Sequence, residues 1–139
     1  MLHVADLTCQ ILKNVSFALE EGKNLTILGN NGSGKTTLAR ALCYLIPSES
    51  VFWEGKNMGE IAPRLRAQAI NYVPTSLDIY DEYLSVSDYL ELNQFESPDS
   101  RKKEKILEEL EIAHLLSSPC QNLSSGESSL LLIAGAMLH

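Results

Sequence analysis

Residues 29–37 read GNNGSGKTT and contain the spacing GxxxxGK[ST], filled by Gly29, Gly34, Lys35 and Thr36. Glycines at these positions let the backbone wrap so tightly that successive N–H groups point inward, and a helix starting at Lys35 adds the partial positive charge of its N-terminus. Such a nest is built for phosphate oxygens. The predicted binding set is Gly29, Asn30, Asn31, Gly32, Ser33, Gly34, Lys35, Thr36 and Thr37, with the Lys35 ammonium bridging the terminal phosphates and the Thr36 hydroxyl on Mg²⁺. The chemistry implied is the holding of a nucleoside triphosphate.

The loop works only if a strand leads into it and a helix leaves it. Segments 4–7, 15–19 and 25–28 are short, apolar and β-branched, with a turn at Glu21 and Gly22, and read as three strands. After Gly34, Leu38, Ala41, Leu42 and Leu45 recur at helical spacing until Pro47. A short strand over 51–53 turning at Glu54 and Gly55, a helix over 63–69 and a strand over 70–73 complete a mixed α/β region. From Ser85 onward strand signals vanish. One helix is expected over 86–95 and another opening at Ser97 with Pro98 in its first turn, its apolar face formed by Ile106, Leu107, Leu110 and Ala113. A loop over 117–125 then leads to a last apolar helix beginning near Gly126.

The chain has 139 residues, 45% of them hydrophobic and 21% charged, so one packed domain rather than disorder is expected. The apolar run 130–138 is roughly half the ~20 residues needed to cross a bilayer as a helix. Eleven basic against 18 acidic residues give a net charge of −7, which disfavours nucleic acid as a partner and leaves anion binding to local geometry. Cys9, Cys43 and Cys120 are widely spaced and form no CxxC pair, so reduced thiols are expected.

A second motif selects among phosphate-binding chains. Residues 122–127 read NLSSGE, directly before the last helix, and with the phosphate loop upstream this resembles the ABC-type ATPase family, whose signature is close to LSGGQ or LSGGE. The resemblance covers nearly the whole chain. It implies an α/β fold, a P-loop NTPase core with an N-terminal antiparallel β hairpin and a small helical subdomain. The core would span 1–84, the helical subdomain 85–122, and the signature with its helix 123–139. It further implies ATP and Mg²⁺ as cofactors and a homodimer in which Ser124, Ser125, Gly126 and Glu127 face the partner's nucleotide. Transmembrane permease subunits would hold the protein at the inner face of the cell membrane. The signature region, with GKNMGEIAPRLRAQAINYVP, is similar to that of importers for iron chelates, haem or cobalamin.

Departures from the family pattern carry expectations of their own. Thr75 stands where a glutamine senses the γ-phosphate and Mg²⁺, making it a second candidate metal contact. Ser125 replaces a glycine, and no aromatic residue takes the place that stacks on adenine. The acidic Walker B strand that supplies the catalytic carboxylate is not found before His139, so no catalytic residue is assigned and the chain is expected to bind ATP without efficient hydrolysis. An open sheet edge beside an apolar helix would favour self-association or a domain swap. The alternatives are a non-hydrolysing nucleotide-binding fragment and a non-transport ABC ATPase of DNA repair or the ribosome.

Overall fold

The N-terminal alternation folds into a hairpin. In the computed structural model, which describes residues 1–79, 81–94 and 100–138, β1 (Leu2–Cys9) and β2 (Leu12–Leu19) pair antiparallel about a two-residue turn at Gln10 and Ile11. The register shifts between Val4 and Leu7 and again between Leu7 and Cys9. Asp6, Gln10 and Asn14 take positive φ near these irregularities, conformations that Asp and Asn tolerate because their short side chains bond locally. Asp6 is held across the hairpin, where the Ser16 hydroxyl donates to Asp6 Oδ1 at 3.1 Å and accepts from the Asp6 N–H at 2.8 Å. The chain divides into two units, Met1–Tyr72 and Val73–His139.

In the first unit β3 (Val51–Trp53) adds antiparallel to β1 and β4 (Lys56–Asn57) to β3, giving the order β2-β1-β3-β4. The turn between β3 and β4 falls at Glu54 and Gly55, as predicted. Helix α1 (Lys35–Leu42) lays Leu38 and Ala41 against Val4, Leu7 and Leu12 of the hairpin. Full burial of a side chain such as Leu7 stabilises by about 1.5–3 kcal/mol, so this seam fixes where the phosphate loop must sit. Helix α2 spans Pro63–Ala69, matching the expected bounds, with proline in its first turn. Arg66 of α2 donates to the carbonyls of Met58 and Ile61 at 2.9 and 3.1 Å and lies 4.4 Å from the centre of the Tyr44 ring.

Two expected strands are corrected. Segments 25–28 and 70–73 carry no ladder pairing, and Leu25, Ile27 and Leu28 are 46%, 40% and 88% exposed. Their composition suits a strand, but a strand exists only where a neighbour supplies hydrogen-bond partners, and β1 to β4 pair with one another.

The second unit is helical. Helices α3 (Val86–Leu92), α4 (Ser100–Glu109) and α5 (Ser125–Met137) enclose Val86, Leu90, Ile106, Leu107, Leu131 and Ala134, with Ile112, Leu115, Cys120 and Leu138. α3 ends at Leu92, short of the predicted limit at Phe95, which lies outside the described residues together with the predicted cap Ser97 and Pro98. The charged face of α4 is solvated, as its spacing requires, with Lys103 paired to Glu91 at 3.5 Å. No helix among the described residues is long and apolar enough to cross a membrane.

Candidate functional site: two helix N-termini

Between the end of the hairpin and α1 the chain runs exposed from Glu21 to Ser33 and becomes buried at Gly34. Gly32 and Gly34 have φ of +81° and +96°, a region costly for other residues. A methyl on Gly34 would stand 2.8 Å from Leu12 Cδ2 and 3.1 Å from Ile11 Cγ1, so the loop is pressed on the hairpin turn at a point where only glycine fits. Gly34 is also the N-cap of α1 and, lacking a side chain, leaves the first-turn N–H groups uncapped. No acidic residue stands in that turn. The electrostatics therefore favour an anion.

Lys35 turns back over the loop. Its Nζ donates to the carbonyls of Gly29 at 2.7 Å and Asn30 at 2.9 Å, while the Ser33 N–H donates to the same Asn30 carbonyl at 3.1 Å. The ammonium is thus held across the mouth of the loop, where a terminal phosphate would meet it. The Thr36 hydroxyl is exposed in the first turn of α1. One hydroxyl with phosphate oxygens suits Mg²⁺, which retains water and uses few protein ligands. Thr37 donates to Gln10 Oε1 at 3.4 Å. Gln10 and Ile11 were not predicted as neighbours of the loop: they fall between the expected strands 4–7 and 15–19, and α1 packing on the hairpin brings them to Thr37 and Gly34.

The predicted signature residues lie in the second unit, at the start of α5. Ser124 is its N-cap: the Glu127 N–H donates to Ser124 Oγ at 3.3 Å, and Glu127 Oε2 accepts from the Ser124 N–H at 2.7 Å and hydroxyl at 2.6 Å. The S-x-x-E spacing is the sequence mark of such a reciprocal cap. These bonds, the side-chain bond first, hold the Glu127 carboxyl below its ordinary value, and His114 adds a smaller favourable charge. Ser125 and Gly126 are exposed, and a methyl on Gly126 would meet nothing within 4 Å. Ser125, the serine in place of the expected glycine, is itself open to solvent. Ser129 donates its hydroxyl to the Ser125 carbonyl at 2.9 Å.

Thr75 is exposed in a bend of the second unit, away from regular structure. Among the described residues no three His, Cys, Asp or Glu side chains gather as a metal site. A cavity of about 580 Å³ in the first unit, lined by Leu2, Leu19, Trp53 and Ile70 with Glu20 and Glu21, includes no residue of the phosphate loop. The thiols are free, and burial pushes those of Cys43 and Cys120 up.

The chain is similar to known proteins. Over 133 residues, 94% of the chain, it is 38% identical to the zinc import ATP-binding protein ZnuC of Yersinia pestis bv. Antiqua and covers 47% of that protein. With ZnuC of Wigglesworthia glossinidia brevipalpis it shares 35% identity over the same share of its length and covers 52% of that relative. The chain thus spans about half the length of the curated relatives it matches. A solved ATP-binding subunit of an ABC transporter superposes with a TM-score of 0.82 at 24% identity, covering 99% of this chain and 62% of the other. The cbiO1 protein of Clostridium perfringens, part of the cbiONQ transporter complex, superposes at 0.78 with 22% identity, covering 99% of this chain and 61% of the other. These likenesses show the α/β fold of ABC ATP-binding domains. The profile described as ABC transporter matches residues 12–139, from the first residue of β2 through both glycine-bearing motifs, and the chain belongs to the ABC transporter family.

Proposed function

We propose that this chain forms the ATP-binding part of an importer's ATPase subunit, with Gly29 to Thr37 on the triphosphate and Ser124 to Glu127 facing the nucleotide of a second copy. The observation that carries the reading is the uncapped, acid-free N-terminus of α1 beneath a glycine loop with Lys35 across its mouth. Lys35 would exchange its two carbonyl acceptors for phosphate oxygens, Thr36 would hold Mg²⁺, and the loop's N–H groups would take the remaining phosphate lone pairs. Thr75 is a further candidate for the metal's surroundings. When bound, Mg²⁺ supplies charge neutralisation between the phosphates.

The cargo we infer is a metal ion or metal chelate. The importer-like signature and the zinc import relatives support that class, within which iron chelate, haem and cobalamin remain the readings of the signature region. Permease subunits at the inner face of the membrane would be the other partners. The chain's own residues supply binding and orientation, and no catalytic carboxylate is assigned among them.

Calorimetric titration with MgATP, beside Lys35→Ala, tests the reading. Saturable binding that the substitution removes supports it. Equal binding by both proteins, or none by either, overturns the assignment of the loop.

A further inference from the structure

The sheet of the first unit has two outer strands, and they are not alike. β4 has two residues, a short edge, whereas β2 has eight with no proline among them. β2 forms its ladder with β1 alone, so its backbone groups on the far side have no strand partner among the described residues. An unpaired edge of this length is a template for another strand. Asn14 is the one residue of β2 at positive φ, and Val15 to Leu19 is its extended part. There Val15 and Phe17 pack against the seam between the hairpin and α1, and Leu19 against Leu2, Val51 and Met58, yet all three are only half-buried. The two ends of the strand are oppositely charged. Lys13 stands near its start, Glu20 and Glu21 directly follow its last residue, all three are exposed, and none joins an ion pair among the described residues.

We propose that the outer edge of β2 pairs antiparallel with β2 of a second copy of this chain, joining the two sheets edge to edge across a two-fold axis at Phe17. The strand that fits this edge must carry a positive charge near its start and negative charge at its end, and β2 is itself such a strand. Antiparallel pairing brings Lys13 of each copy beside Glu20 and Glu21 of the other, sets Val15 opposite Leu19, and lets the two Phe17 side chains meet on the axis. The half-buried apolar row of each copy then covers that of the other. Parallel pairing would instead set lysine beside lysine and glutamate beside glutamate. None of these residues belongs to the set assigned to nucleotide, so the pairing requires neither MgATP nor Lys35.

Sedimentation of the chain without nucleotide, at tens of micromolar, reads the pairing, and an exchange of charges reads its geometry. A dimer is expected, in Lys35→Ala as well as in the unaltered chain. Lys13→Glu should weaken it about tenfold, since each dimer then holds two like-charge meetings, and Glu20→Lys with Glu21→Lys should weaken it as much. Combining all three changes restores the opposite charges and should restore the dimer. The altered side chains are exposed, so denaturant titration should find every variant folded. A monomer at this concentration overturns the proposal. So does a dimer that the single charge reversals leave intact or that the combined change fails to restore. A dimer that forms only with MgATP and is lost in Lys35→Ala overturns it as well, and assigns pairing to the nucleotide surface instead.

Discussion

Helices α1 and α5 both begin at a glycine-bearing motif, yet their N-termini solve the same problem in opposite ways. Each helix start leaves backbone N–H groups without intrahelical partners. At α1 the N-cap is Gly34, there is no acid in the first turn, and the cation is Lys35. At α5 Ser124 and Glu127 satisfy each other and a carboxylate stands in the first turn. One terminus is left in need of an anion; the other is already served by its own chain. Two motifs rich in Gly and Ser can therefore differ in what they demand from a ligand, and the side chains at N-cap and N3 decide it.

That contrast breaks most severely at Gly34. Gly34→Ala combines a positive φ with a methyl 2.8 Å from Leu12 Cδ2, and loss of all measurable MgATP binding in calorimetry is expected, with destabilisation of at least ~1–2 kcal/mol in denaturant titration. A smaller effect is expected from Ser124→Ala, which removes an N-cap and costs roughly 1 kcal/mol in the same titration while leaving MgATP affinity intact. Lower still is the effect of acid. Glu127 and Asp88 have carboxyls held below their ordinary values by their serine partners, so their contribution is present above the unfolded carboxylate range and is lost as pH falls through the lower folded values. Amide protection factors at the starts of α3 and α5, corrected for the intrinsic slowing of exchange in acid, should then fall on acidification, while that at the start of α1, which has no carboxylate cap, shows no such change. The smallest expected change concerns Cys43: burial holds its thiol protonated, so alkylation at neutral pH should be slower than for a free cysteine and should quicken on unfolding.

Much of this was legible in the sequence because it is local. The turn at Glu54 and Gly55, helix α2 over 63–69 and the start of α5 near Gly126 each depend on residues within one turn of each other. The phosphate loop was legible for the same reason. Segments 25–28 and 70–73 were misread because strand character there depends on partners elsewhere in the chain, which alternation cannot report. Gln10 and Ile11 escaped notice as loop neighbours since their proximity to Thr37 and Gly34 follows from the packing of α1 on the hairpin, a contact between residues some twenty-five apart.

Gly135 lies near the far end of α5, where a methyl would stand 3.2 Å from Tyr89 Cε1 and 3.4 Å from Asn93 Cγ of α3. Tyr89 and Asn93 are themselves braced, the Asn93 amide donating to the Tyr89 carbonyl at 2.7 Å. With no side chain between them, the two helices touch almost backbone to ring, and there is little compressible material to absorb a tilt. Any side chain at Gly135 would have to push α5 off α3, so the closeness of the two helices is owed to this one missing methyl.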